Sequence, residues 1–327
     1  MRRSHDAPDP PIHTARIVGR AALGGVVVAA MALSGGCVIN GDRWARPADL
    51  AQGWMVDRTR ILGIRAEPAE LEPGQQASLE ALIATAPGDE IQLGLLWLAC
   101  PEEGVGCTTD LGGFDLETAT PEELAALGFI GFEPGLPPTY TAPPGILSEL
   151  DDSARLEGLN VLVQLTAFPL DTLQPQATAT EPGALDFNEI EAGYKRLVVS
   201  EAPTPNHNPA LVALTIDGSA VPPQIEAIRL EPGQPYELGI LLEEGLGRER
   251  YVYLNSGGQI EERVEEPYAT WYTSGGELLE SVTLWPYMES TWISPAEPGA
   301  QGTWYVVVRD RRGGMSWWRQ DWQIGPP

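Results

Sequence analysis

Hydrophobic and polar positions alternate with a period of two through much of this chain. Ile61-Leu62-Gly63-Ile64-Arg65 reads as a short strand. Ala77–Ile83 reads as another, with Leu79 and Ala81 set against Glu80 and Leu82. Neighbouring side chains in a strand point to opposite faces, so this spacing predicts half-buried sheet. Leu93–Ala99, Leu159–Phe168, Tyr268–Thr273 and Thr303–Asp310 predict further strands. The last of these has two distinct faces, Trp304, Val306 and Val308 against Tyr305, Val307 and Arg309. Asp310-Arg311-Arg312-Gly313-Gly314 then supplies the glycines of a hairpin loop, and Trp318, Trp322 and Ile324 line one face of the returning strand. Helical signal is scarce. Thr120-Pro121-Glu122-Glu123 has the form of a capping box with proline in the first turn, and predicts about two turns of helix ending at Gly128.

The pattern repeats. Leu71-Glu72-Pro73-Gly74-Gln75 recurs as Leu230-Glu231-Pro232-Gly233-Gln234, an offset of 159, and Leu79 and Leu82 then fall on Leu238 and Leu241. Trp97 has a counterpart in Trp271, with fifteen extra residues between turn and tryptophan in the second copy. Thr139-Tyr140-Thr141-Ala142-Pro143 parallels Thr291-Trp292-Ile293-Ser294-Pro295. This order of landmarks predicts two homologous units, 58–202 and 208–327, joined by a proline-rich linker at 203–207. Ala202–Pro209 offers no apolar side chain larger than a proline ring, so little is expected to dock there. Two stretches read as long loops: 171–192, and the acidic segment 243–266, expected to be mobile.

Residues 1–57 follow other rules. Four arginines lie within residues 1–20, and Ala21–Leu33 is an uncharged run of thirteen residues. As a helix it would span roughly 20 Å at ~1.5 Å per residue, short of the ~30 Å bilayer core, so it suits the apolar region of a signal peptide. Leu33-Ser34-Gly35-Gly36-Cys37 resembles the bacterial lipobox, with Ser34 where that family usually has Leu. The resemblance implies a lipoprotein-type signal peptide over 1–36 and a lipidated Cys37 carrying palmitate-class acyl chains as a membrane anchor. Residues 37–57 read as a polar, irregular tether with Trp44 and Trp54 as candidate docking points. The address implied is the cell envelope, as an outer-membrane lipoprotein facing the periplasm or the cell surface.

Composition narrows the functional classes. Net charge is −26; residues 1–36 hold four Arg and two Asp, leaving the remainder near −28. Such a surface repels phosphate backbones, so no nucleic-acid partner is expected. Of three cysteines, Cys37 is assigned to the anchor. Cys100 and Cys107 are expected to form a disulfide in an oxidising compartment, worth roughly 2–3 kcal/mol in the chain-entropy model. Two thiols without a nearby histidine are a poor zinc set, and no metal or cofactor is expected. His207 is the one histidine after residue 36 and sits in the linker, so a nucleophile–histidine system is not expected. Asp151-Asp152 and Glu265-Glu266 are acidic pairs without the spaced pattern of a dedicated calcium loop. Seven of ten tryptophans follow residue 270. Trp317 and Trp318 are adjacent and must face opposite ways in a strand, which makes them candidate partner-binding residues, with an interdomain or edge contact as the plainer reading.

The order strand, Glu-Pro-Gly turn, strand, tryptophan strand, aromatic-x-Ser/Ala-Pro strand and terminal pair resembles the Ig-like or PKD-like β-sandwich domains carried in tandem by exported bacterial lipoproteins. The resemblance implies an all-β fold of two tandem Ig-like β-sandwich domains, with Trp97 and Trp271 as buried core tryptophans. It carries no chemistry: calcium motifs of the cadherin type are absent from the sequence. The expectation is a lipid-anchored, non-catalytic binding or structural module with an envelope protein or glycan as partner. A surface adhesin or carbohydrate-binding protein using the late tryptophans is the alternative, and an envelope hydrolase stands further off.

Overall fold

The structure, a computed structural model, describes residues 53–89, 91–101, 120, 128–131, 137–170, 190–222, 226–254 and 259–325. The leader, Cys37, Trp44, Cys107, the body of the Thr120 helix and most of the loop expected at 171–192 lie outside these residues. All the described residues fall in one compact unit.

The first half supplies β1 (Arg60–Glu67), β2 (Glu70–Leu71), β3 (Gln76–Ala84), β4 (Leu93–Pro101), β5 (Phe129–Gly131), β6 (Thr139–Thr141), the helix α1 (Asp152–Glu157), β7 (Leu159–Pro169) and β8 (Glu191–Val199). One sheet runs β1-β3-β6; the other runs β2-β8-β7-β4-β5. The second half supplies β9 (Leu211–Ile216), β10 (Ser219–Ala220), β11 (Ala227–Leu230), β12 (Pro235–Leu242), β13 (Arg250–Leu254), β14 (Ile260–Val264), β15 (Tyr268–Thr273), β16 (Glu277–Leu278), β17 (Val282–Leu284), β18 (Glu289–Ile293), β19 (Gln301–Arg309) and β20 (Met315–Ile324). Its sheets run β10-β9-β12-β18-β16 and β11-β20-β19-β15-β17, with β13 and β14 forming a separate hairpin. In each half a short early strand lies parallel to the last strand, β2 on β8 and β11 on β20, and the other pairings between named strands of the described residues are antiparallel. Two facing sheets with this order and a buried tryptophan on the third principal strand define an Ig-like sandwich. The chain is all-β with two of them.

The repeated turn folds the same way twice. Gly74 and Gly233 adopt positive φ, 85° and 66°, a region that residues with a Cβ enter only at a cost. Gly74 N–H donates to the Ala142 carbonyl at 2.9 Å and Gly233 N–H to that of Pro295 at 3.1 Å. Each sandwich has its own core. Leu71, Leu79, Trp97, Val163 and Leu197 build the first; Leu238, Trp271, Trp292, Trp304 and Trp322 build the second.

A third apolar cluster joins them. Val56, Leu62, Leu82 and Ala84 meet Tyr305, Val307 and Met315, with Tyr272 and Trp317 at its margin. The face of β19 that carries Tyr305 and Val307 is therefore covered by the first sandwich. A bulge in the β1–β3 pairing between Ile61 and Gly63 leaves Ile61 against the first core and turns Leu62 into the shared cluster. The Leu62 carbonyl accepts from Arg309 Nη2 at 3.0 Å.

Trp54, expected as a docking point of the tether, packs on the second core; beside it Met55 bridges Thr273 and Val56 is fully buried. Two expectations need correction. The linker, where little was expected to dock, is held through Asn206, which is 1% exposed; its hold is polar, so counting apolar side chains missed it. The segment expected as a mobile acidic loop folds into the β13–β14 hairpin. Its strands present charge on both faces and gain cross-strand contacts instead of burial, with Arg263 over the Tyr253 ring at 3.9 Å and Arg250 3.3 Å from Glu262.

Candidate functional site

The loop between β19 and β20 meets the linker and the edge of the first sandwich in a buried polar joint. Asp310 organises its own loop. Its Oδ1 accepts from the backbone N–H of Arg312 at 2.7 Å and of Gly314 at 2.9 Å. Gly314 is required by close approach, because a Cβ there would strike the Asp310 carboxylate and lie 2.6 Å from the His207 carbonyl. Asp310 Oδ2 accepts from Asn206 Nδ2 at 2.8 Å. The Asn206 backbone N–H donates to Glu70 Oε2 at 2.7 Å, and Ser200 Oγ donates to the other Glu70 oxygen. The linker thus ties β2 of the first sandwich to the β19–β20 loop of the second.

Arg312 closes the joint. Its guanidinium lies 3.1 Å from Glu265, 3.7 Å from Glu70 and 3.9 Å from Glu249, and stacks on Tyr251 at 4.4 Å. One cation thereby faces carboxylates from both sandwiches. Glu265 also accepts the Glu249 backbone N–H at 2.9 Å, and Glu249 meets His207 Nδ1 at 2.8 Å. Lys195 of β8 donates to the Gly313 carbonyl.

Burial sets the electrostatics. It pushes the Asp310 and Glu265 carboxyls above their ordinary values, against the pull of their hydrogen bonds. It lowers the Lys195 ammonium to about 8, with Asp310 opposing and Arg309 adding to the shift. An amine near pH 8 has the basicity of a catalytic base or nucleophile. At 4% exposure, with its nitrogen on a backbone carbonyl, Lys195 has no path to a substrate. The joint's geometry holds two bodies together.

Beside the joint lies a cavity of about 580 Å³ lined by Arg248, Tyr251, Arg263, Val264, Glu265, Glu266, Asp310, Arg311 and Arg312. The hairpin β13–β14 forms one wall. Arg248 Nε donates to the Glu265 carbonyl at 2.9 Å, and its guanidinium lies 4.0 Å over the Trp285 ring. Arg311 sits 5.8 Å from the Tyr268 ring. Among the described residues, neither Arg248 nor Arg311 is paired with a carboxylate.

Of the sequence-predicted site residues, Cys37 and Cys107 lie outside the description. Cys100 stands near the end of β4, opposite Leu162. Trp317 is half-buried at the shared cluster, 4.7 Å beneath the Arg65 guanidinium. Trp318 packs against the second core. The one large exposed late tryptophan is Trp285, 38% exposed, which the sequence did not single out. The acidic pairs have structural uses: Asp151 caps α1 by accepting from Ala154 N–H at 2.9 Å, and Glu265 belongs to the joint. Among the described residues no group of three or more His, Cys, Asp or Glu could hold a metal ion. Asn206 and Arg312 went unnoticed in the sequence because their partners are remote.

The chain matches no protein-family model and no curated protein. Among solved structures it is similar, at 14% identity and a TM-score of 0.25, to a nucleoside hydrolase-related hypothetical protein from Saccharophagus degradans, over 37% of this chain and 26% of that one. Three N-terminal domains of the bacteriophage RB49 outer capsid protein Hoc align over 81% of this chain and 59% of theirs, at 11% identity and a TM-score of 0.21. The chain thus spans less than two thirds of either. Fibronectin(III)-like modules of Clostridium thermocellum CbhA align over 80% of this chain and 94% of theirs, at 8% identity and a TM-score of 0.24. The Ig-like assignment rests on strand order and pairing, and not on these likenesses.

Proposed function

We propose that the chain is a non-catalytic binding or structural module of the bacterial cell envelope, tethered through lipid on Cys37 and built as an arm of two clamped sandwiches. The observation that carries the reading is the joint. Its buried titratable groups, Asp310, Glu265, Glu70 and Lys195, are turned onto backbone groups and one another, an arrangement suited to fixing the angle between two bodies. Two sandwiches held at a fixed angle extend and orient a surface, a service to a partner in the envelope, whether protein or glycan. The boundaries proposed for the units are 58–202 and 208–327.

The anchor is tested by metabolic labelling with an alkyne palmitate. The wild-type chain should take the label and Cys37→Ala should not; label retained by the variant defeats the anchor. The module is tested by glycan arrays and envelope pull-down beside activity-based hydrolase probes. Capture of a partner without probe labelling is expected, and covalent labelling of the folded chain by a hydrolase probe would contradict the reading.

A further inference from the structure

We propose that the arginine-lined cavity beneath the β13–β14 hairpin is a binding site for a small oxyanion-bearing solute, held by the guanidinium groups of Arg248 and Arg311. Binding without turnover is all it shares with the functional reading; Arg248→Gln and Arg311→Gln leave the tether and the joint's Asp310, Glu265 and Arg312 in place, so the two can fail separately.

Four observations converge. The first is the local concentration of cations. The chain carries −26 overall, yet four arginines line this one cavity. Three acidic side chains, Glu265, Glu266 and Asp310, line it as well, so the wall is mixed in sign with one cation in excess, in a chain that is otherwise strongly acidic. The second is how those arginines are used. Arg312 is occupied by three carboxylates, and Arg263 is paired with Glu261 at 2.8 Å. Arg248 and Arg311 carry no such pair among the described residues. Arg248 is held in place by its Nε bond to Glu265 and by Trp285, which leaves its two terminal nitrogens to donate. A guanidinium fork positioned this way suits the paired oxygens of a carboxylate, sulfate or phosphate ester.

The third is the backbone at Arg311, whose φ is 72°. The turn organised by Asp310 sets that conformation and presents Arg311 exposed, without an ion pair among the described residues, on the lining of the cavity and 5.8 Å from the Tyr268 ring. The fourth is size and charge of the floor. About 580 Å³ matches the space that small ligands occupy. Of the carboxyls that line it, Glu265 is already engaged by Arg312 and Asp310 by Asn206 and the N–H groups of its own loop, while Glu266 is exposed at its edge.

Trp285 provides the readout, because Arg248 lies on its ring. The full chain, in neutral detergent and labelled with 5-fluorotryptophan, gives one fluorine resonance per tryptophan, and Trp285→Phe assigns the one of interest. Sodium sulfate, inorganic phosphate and glucuronate are titrated separately at constant ionic strength against sodium chloride. The expected result is a saturable shift of the Trp285 resonance with at least one of the three oxyanions and none with chloride; which of them binds most tightly distinguishes the sulfate, phosphate and carboxylate sources. Arg311→Gln should raise the apparent Kd at least tenfold, Arg248→Gln should do likewise by calorimetric titration, and Arg229→Gln, at an exposed position of β11, should leave it unchanged. The other tryptophan resonances report whether each variant is folded. No saturable shift up to 50-fold the protein concentration and beyond into the millimolar range, an equal response to chloride, or an Arg311→Gln chain that is folded and binds as the wild type would each overturn the proposal.

Discussion

Lys195 is the only lysine in the chain and carries its most displaced charge. Its folded pKa of about 8 lies below the 10.5 of an exposed lysine. Between those values the unfolded chain holds a proton that the folded chain has shed, so this residue makes stability rise as pH increases from 8 toward 10.5. The shift corresponds to about 3 kcal/mol that burial costs at neutral pH and that is regained across this window. Lysine-selective isotope labelling yields a single ε-ammonium signal, expected to titrate near pH 8; a midpoint above 10 would contradict the buried placement. Lys195→Met is expected to flatten the rise in urea midpoint between pH 8 and 9.5. Asn206 gives a sharper case. Asn206→Asp would set a third carboxylate between Glu70 and Asp310, and leaving a buried charge uncompensated costs roughly 3–5 kcal/mol; an unfolding free energy from urea titration within about 1 kcal/mol of wild type would show that the linker does not dock. The core residues Trp97 and Trp271 were legible in the sequence because burial follows a period of two along a strand. Asn206 and Arg312 were not, since Asn206 reaches partners 136 and 104 positions away and no local pattern encodes a contact of that range.

Strands and turns were the most legible level. The repeated Leu-Glu-Pro-Gly-Gln turn announced its own conformation through glycine and proline. One signal in β3 was present and unread. Along a single face, Gln76, Ser78 and Glu80 are polar and exposed, whereas Leu82 and Ala84 on the same face are apolar and buried. That switch midway along a strand marks where the second sandwich begins to cover the first. The β13–β14 hairpin was unread for the opposite reason: two strands solvated on both faces lack an apolar alternation. An isolated two-stranded ribbon is marginal in water. This one is held at its base by the Glu249–Glu265 backbone bond of 3.0 Å and the Arg312 stack on Tyr251. At the end of β4, the pairing of Cys100 with Cys107 remains a proposal. Alkylation of the unreduced exported chain followed by intact-mass measurement is expected to find neither thiol modified; two alkylated cysteines would refute it.

At the scale of the molecule, the account turns on the coupling of two sandwiches that each possess a core. Sequence repetition suggested two bodies on a stiff string. The shared apolar cluster, the bulge at Leu62, the docked linker and Arg312 instead join them across one surface. Arg312→Met would leave Glu265 buried without its cation, and loss of one partner from a buried pair costs roughly 3–5 kcal/mol. Leu82→Asp would place an unpaired charge in the shared cluster. Both substitutions act on the coupling and leave the separate cores of Trp97 and Trp271 intact. Differential scanning calorimetry of the full chain measures that coupling directly. The expected result is one transition whose calorimetric enthalpy equals its van't Hoff enthalpy in the wild type, splitting into two in the Leu82→Asp/Arg312→Met chain. Two resolved transitions in the wild type, or a calorimetric enthalpy near twice the van't Hoff value, would mean that the sandwiches unfold independently and that the joint does not clamp them.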